Sequence, residues 1–64
     1  MSADNVIYVK QYRNKWKVWH DFMSNDNPKP TKIAKSFDNF GDAVRYAFDL
    51  EKEIGYVEYG VAEL

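Results

Sequence analysis

Residues 6–22 read VIYVKQYRNKWKVWHDF, and this stretch predicts a β-hairpin. Its two halves, Val6–Tyr12 and a second run from Lys15 to Met23, are rich in the β-branched and aromatic residues that favour strands. Arg13 and Asn14 separate them, and because Asn tolerates a positive φ, we expect a two-residue turn there. That turn fixes the register of the hairpin.

The register gives the hairpin two different faces, because side chains alternate along a strand. One face carries Ile7, Val9, Trp16 and Val18, and we expect it to face the core. The opposite face carries aromatic and basic side chains: Tyr8, Lys10, Tyr12, Lys15, Lys17 and Trp19. The pattern therefore predicts that Trp16 is buried and that Trp19 is exposed.

Two further elements follow the hairpin. The segment Ser24–Pro30, SNDNPKP, contains two prolines and predicts a loop. Thr31–Phe37 predicts a third strand, antiparallel to the second. Asn39–Ile54 predicts a helix, since its apolar residues recur at helical spacing, with Asn39 as N-cap and Gly55 just beyond the C-terminal end.

The tail YVEYGVAEL, residues 56–64, alternates weakly and predicts a fourth strand. The expected fold is a single α+β domain spanning residues 1–64: a small antiparallel three-stranded sheet with one helix on one face and a C-terminal strand, in chain order β-β-β-α-β. A right-handed crossover would lay the fourth strand parallel to the first, giving the sheet order 3-2-1-4. Alternatively, the strand docks on a second copy of the chain and forms a homodimer.

Composition limits the classes of protein to be considered. A chain of 64 residues is one domain, and 17% aromatic residues can fill its small core. There is no cysteine, which excludes disulfides and thiolate metal sites. No apolar run is long enough to span a bilayer, and the opening MSADN lacks the features of a secretory signal. We expect a soluble, cytoplasmic protein that does not contact the membrane.

Catalytic patterns are weak in this sequence. The single histidine, His20, is expected to be a half-buried structural residue opposite Ile7. Asp38 and Asp42 fit the capping and charge preferences of a helix start. The glycines do not form a phosphate loop, no pair of His or Cys residues has metal-ligand spacing, and so small a chain leaves little room for a pocket of about 300 Å³ or more. We expect no enzyme activity, no cofactor and no metal.

Charge is segregated along the chain. Residues 1–35 have seven basic and three acidic side chains, a net charge of +4, whereas residues 36–64 have two basic and seven acidic side chains, a net charge of −5. Aromatic rings beside cations can stack on bases while the cations bind phosphates. The candidate binding residues lie on or beside the outer face of the hairpin: Tyr8, Lys10, Tyr12, Arg13, Lys15, Lys17, Trp19 and Lys32.

Two stretches carry a resemblance to known proteins: YRNKWKVWHDF, and IAKSFDNFGDAVRYAFDLEKEI after the loop. Together they resemble the three-strand-plus-helix N-terminal arm-binding domains of phage tyrosine integrases, and also small bacterial and phage proteins of unassigned role. The resemblance covers about residues 8–54 and depends on Trp16, Val18, Phe37, Ala43 and Ala47. In the integrase family the sheet lies in the DNA major groove, which would imply DNA contacts for Lys10, Lys15, Lys17 and Trp19.

Two functions remain open from the sequence. The first is a small non-enzymatic binding module, of phage type, whose basic and aromatic sheet face binds nucleic acid. The alternative is a protein–protein interaction or homodimerisation module, in which the acidic helix of one chain contacts the basic sheet of another.

Overall fold

The computed structural model describes residues 4–64, so the first three residues of the opening MSADN lie outside it. The described residues form four strands and one helix: β1 (Asn5–Tyr12), β2 (Lys15–Phe22), β3 (Lys35–Phe37), α1 (Phe40–Ile54) and β4 (Val61–Glu63). The α+β class is confirmed, with one helix and a single sheet.

The sheet has four strands in the order β3-β2-β1-β4. The predicted hairpin register is confirmed, with Val9 opposite Val18 and Tyr12 opposite Lys15. β3 is antiparallel to β2, whereas β4 is parallel to β1, with Ile7 opposite Val61. The sheet is therefore mixed and not purely antiparallel, because the last strand pairs with β1 in the parallel orientation, which is the first of the two placements expected for it.

The hairpin turn differs from the prediction in one detail. Arg13 has a φ of 60°, and it is the only non-glycine residue among residues 4–64 with a positive φ. A positive φ at the first central position and a negative one at the second is the pattern of a type II′ turn, which normally has glycine first. The strained backbone position thus belongs to Arg13 and not to Asn14.

Helix α1 is capped as its sequence predicts. The side chain of Asn39 accepts a hydrogen bond from the backbone N–H of Asp42 at 2.8 Å, and Gly55 ends the helix with a φ of 98°, a conformation that glycine adopts without steric cost. Ala43 and Ala47 are fully buried against the sheet. Because their side chains are small, the helix can approach the sheet closely.

The core beneath the helix is the predicted one. Ile7, Val9 and Val18 are buried there with the two helix alanines and Val57. Two aromatic pairs flank this core, Trp16 with Phe40 at 4.8 Å between ring centroids and Phe37 with Tyr46 at 5.3 Å. Trp16 is only half-buried, because it lies near the turn end of the hairpin.

The opposite face of the sheet is also covered, and here the sequence prediction was wrong. Trp19 does point away from the helix, but it is 2% exposed, and Tyr8 is 5% exposed. They form a second core with Val6, and Ala34 and Ala62 pack against it. Ala34 ends the irregular segment between β2 and β3, residues 23–34, which we call the covering loop.

The covering loop also explains why β3 is shorter than predicted. Thr31 accepts a hydrogen bond from the backbone N–H of Ala34 at 3.1 Å, so the chain turns at this point and does not extend alongside β2. Pairing begins only at Lys35, where the backbone has reached the sheet edge. The predicted strand Thr31–Phe37 is therefore limited to its last three residues.

The C-terminal strand is short for a related reason. Asn5 is buried, and its side chain donates to the Tyr56 carbonyl oxygen at 2.8 Å and accepts from the Glu58 N–H at 2.9 Å. Its own carbonyl accepts from the Tyr59 N–H at 3.1 Å. These bonds hold the connection between α1 and β4 in a non-extended form, so that only Val61–Glu63 pair as a strand.

We expect the substitution Arg13→Gly to stabilise the protein, because an L-residue at a left-handed φ costs about 1–2 kcal/mol and glycine avoids most of that cost while adding chain entropy. The expected gain is about 0.5–1 kcal/mol in the free energy of unfolding, measured by urea denaturation. Arg13→Ala is the matched control, since it removes the same charge and keeps the Cβ atom. Equal stability of the two variants would contradict backbone strain at this position.

Candidate functional site

The structure divides the eight predicted binding residues into three groups. Tyr8 and Trp19 are buried beneath the covering loop, so the prediction that their rings are exposed was wrong. Lys10, Tyr12 and Lys17 remain together at the turn end of the outer face. The remaining three are exposed: Arg13, Lys15 and Lys32.

The indole nitrogen of the buried Trp19 has a carboxylate as its hydrogen-bond partner. Trp19 Nε1 donates to Asp21 Oδ2 at 2.9 Å, in the buried layer between sheet and loop. Asp21 also accepts from the Phe22 backbone N–H at 2.8 Å and from Asn25 Nδ2 at 3.2 Å. A buried indole N–H needs a partner, and this one has it.

Further bonds attach the start of the covering loop to the sheet. The Tyr8 hydroxyl donates to Met23 Sδ at 3.3 Å, and the side chain of Asp4 accepts from the Ser24 backbone N–H at 2.8 Å. Among residues 4–64, every buried side-chain nitrogen and oxygen has a hydrogen-bond partner. The start of the covering loop is therefore held to the sheet by specific hydrogen bonds, although the loop has no regular secondary structure.

The pKa of Asp21 reflects these bonds. Burial raises the pKa of this carboxyl group, but the hydrogen bonds from Trp19, Phe22 and Asn25, with a smaller contribution from the charge of His20, outweigh it, and the net pKa is below the ordinary value. A depressed folded-state pKa means that Asp21 stabilises the fold above its unfolded pKa, and that this contribution is lost as the pH falls through the folded pKa.

An open cleft of about 560 Å³ lies where the covering loop meets the turn end of the hairpin. One side is formed by three sheet residues, Lys10, Tyr12 and Lys17. The other side is formed by four consecutive loop residues, Asn27–Pro30. The expectation that the chain has little room for a pocket above about 300 Å³ was therefore wrong, since a folded-back loop can create a concave surface that a sheet and a helix alone do not.

The cleft is basic. Lys10 and Lys17 are directly opposite each other in the β1–β2 pair, and Lys29 faces them from the loop. None of the residues that line the cleft is acidic. Lys17 donates to the Ser36 hydroxyl, a neutral partner. Like charges placed directly opposite destabilise a sheet slightly, so the lysine pair is not explained by the stability of the strands.

Tyr12 provides the aromatic part of the cleft. Tyr12 is 47% exposed, and the Arg13 guanidinium lies over its ring at 5.7 Å from the centroid. A cation over one ring face stabilises the position of the ring, which leaves the other face for a ligand. The arrangement places one accessible ring beside three ammonium groups.

Lys29 lines the cleft, although it was not among the binding residues predicted from the sequence. Two of the predicted cations, Lys15 and Lys32, do not line the cleft. Lys15 is paired with Asp38, the one ion pair in the part of the chain that the structure describes, and this contact lowers the pKa of Asp38. Lys32 is exposed on the covering loop but does not line the cleft. Lys29 lies between two prolines, and this Pro-Lys-Pro sequence was the available signal that its position is fixed.

His20, Asp38 and Asp42 do not line the cleft. His20 is exposed, so the prediction of a half-buried residue was wrong; it lies at the far end of β2 from the turn, where its ring is 6.0 Å from that of Phe22. Asp42 lies in the first turn of α1, as expected, whereas Asp38 pairs with Lys15. In the same part of the chain, no group of three or more His, Asp or Glu side chains could hold a metal ion.

Comparisons with known proteins give no match for this chain among family models, curated proteins or solved structures. The resemblance to integrase arm-binding domains accordingly stays a prediction. Within the described residues, no helix has both the length and the apolar character required to cross a bilayer.

We expect Asp21→Asn to destabilise the protein by about 1–3 kcal/mol, because an amide cannot accept all the bonds that the carboxylate accepts, and a buried donor is left without a partner. The measurement is urea denaturation at pH 7 and at pH 3. The variant should lose less stability than the original protein between these two pH values, since it lacks the carboxylate whose pKa is depressed on folding.

Asp38→Asn is the matched control, because it makes the same chemical change in an exposed carboxylate. Exposed ion pairs contribute little to stability, so its effect should be the smaller of the two. If both variants unfold at the same urea concentration, the hydrogen bond between Trp19 and Asp21 does not hold the covering loop as described.

Proposed function

We propose that this chain is a small non-enzymatic binding module that binds nucleic acid at the basic cleft between the covering loop and the hairpin. The observation that carries the proposal is the convergence of Lys10, Lys17 and Lys29 on one concave surface that also contains Tyr12 and has no acidic lining residue. Cations that follow phosphates, combined with a ring that can stack on a base, are the elements of nucleic-acid recognition by such modules.

The distribution of charge across the sheet supports the same proposal. The acidic residues of α1 lie beyond the helix side of the sheet, whereas the cleft is on the outer side. Asp42, Asp49 and Glu53 are exposed on the helix. The net charge of −1 therefore conceals two surfaces of opposite sign, and an anion is attracted to only one of them.

A second candidate function follows from the same segregation of charge. The exposed acids of α1 in one chain would complement the basic cleft of another, giving a homomeric or heteromeric protein interaction module. β4 contributes an edge, since its one neighbour in the described sheet is β1. Sedimentation equilibrium distinguishes this candidate: a salt-sensitive dimer favours it, and a monomer at high concentration excludes the homomeric form.

The triple variant Lys10→Gln, Lys17→Gln, Lys29→Gln tests the nucleic-acid proposal. Binding to labelled oligonucleotides, measured by fluorescence anisotropy at about 50 mM salt, should weaken at least about tenfold, because three phosphate contacts are lost. The dependence of the logarithm of the affinity on the logarithm of the salt concentration should also become less steep, by roughly two units for a single-stranded oligonucleotide.

A second triple variant serves as the control, because it also removes three positive charges, but from the other side of the sheet: Lys35→Gln, Arg45→Gln, Lys52→Gln. Lys35 is opposite Val18, on the helix side, and the other two residues are exposed on α1. This control should bind as the original protein does. The proposal is wrong if the original protein binds no nucleic acid at about 50 mM salt, or if both triple variants lose affinity equally.

A further inference from the structure

We infer that the cleft is specific for single-stranded nucleic acid, with an unpaired base placed on Tyr12 and the flanking phosphates on Lys10, Lys17 and Lys29. The inference rests on the proposed function and deepens it, since it selects the form of nucleic acid. It also assigns a role to the covering loop, whose residues 27–30 form one wall of the site.

Because the covering loop lies on the outer face of the sheet, this face cannot enter the major groove of duplex DNA as a free two-stranded ribbon does. A two-stranded ribbon can enter the major groove, which is about 12 Å wide, only if its face is free along its length. In this chain the outer face of β1 and β2 is free only near the turn, because the loop buries Tyr8 and Trp19. Trp19 cannot contact a base, because it is only 2% exposed.

The shape of the remaining surface suits a flexible strand. The cleft is concave and is walled by Pro28 and Pro30, whose fixed φ limits movement of the loop. A duplex presents its phosphates on a convex surface and keeps its bases paired, so it cannot place a base inside such a cleft. A single strand can turn one base out and insert it.

Tyr12 supplies the contact that discriminates between the two forms. One face of its ring is covered by Arg13, so a base can stack on the other face. Stacking of a base on an aromatic side chain is available only to an unpaired base and tolerates any sequence. The lysines, in contrast, attract single strands and duplexes alike. Removal of the ring should therefore reduce the preference for single strands, and removal of the lysines should reduce binding to both.

The experiment compares a labelled single strand of about ten nucleotides, as DNA and as RNA, with the duplex formed from the same sequence. Fluorescence anisotropy should show at least about tenfold tighter binding of the single strand. Tyr12→Ala should weaken single-strand binding by roughly fivefold or more, whereas Tyr12→Phe, which keeps the ring, should stay within about twofold of the original protein. Circular dichroism checks that each variant is folded.

Two lysines of the covering loop provide an internal control. Lys29 lines the cleft and Lys32 does not, although both are exposed and carry the same charge. Lys29→Gln should weaken binding of the single strand several-fold, and Lys32→Gln should leave it unchanged. Equal losses for the two variants would show that the loop acts only through its net charge, and would overturn the cleft as the site.

The remaining outcomes separate this inference from the proposed function. If the duplex binds as tightly as the single strand, and the triple lysine variant abolishes both, the inference is wrong while the proposed function stands. If Tyr12→Ala binds like the original protein, base stacking at the cleft is excluded. If neither form of nucleic acid binds, both the inference and the proposed function are wrong.

Discussion

The burial of β1 on both of its faces is the constraint on which the rest of this structure depends. Val6 and Tyr8 face the covering loop, Ile7 and Val9 face the helix, and each of the four is at most 5% exposed. Residues 4–64 form one helix, which covers one face of the sheet, so the second face needs another cover. An irregular loop provides it, held by hydrogen bonds to Asp4, Tyr8 and Asp21.

The same constraint produces the cleft. The loop leaves β2 after Phe22, bonds to Asp21 through Asn25, packs Ala34 against the second core and rejoins the sheet edge at Lys35. Its path covers the middle of the outer face and leaves the turn end of the hairpin open. The edge of the loop, residues 27–30, thus becomes a wall, and the uncovered side chains of β1 and β2 become the floor. The position of the cleft is therefore determined by the point at which the second core, formed by Val6, Tyr8 and Trp19, ends.

The sequence predicts well those features that depend on local periodicity. The alternation in β1 and β2 and the two-residue turn determine the register, and the helix is determined by its apolar spacing and by Asn39 and Gly55. The covering loop could not be placed in this way, because an irregular segment with two prolines has no period that indicates which face it contacts. One signal was present: Val6–Val9 is a continuous apolar run, which is typical of a strand buried on both faces. Lys29 was missed for the same reason as the loop, since its position depends on long-range contacts.

The positions of the acidic residues show that the charge of the cleft is not compensated within the fold. The chain has ten acidic and nine basic residues, so it has enough carboxylates to place one beside Lys10 or Lys17. Lys15, two positions before Lys17, has such a partner in Asp38. Lys10 and Lys17 instead lie opposite each other, a placement that costs stability in a small domain. A cost of this kind is balanced when an external anion binds, because a phosphate between the two ammonium groups changes their repulsion into a shared attraction.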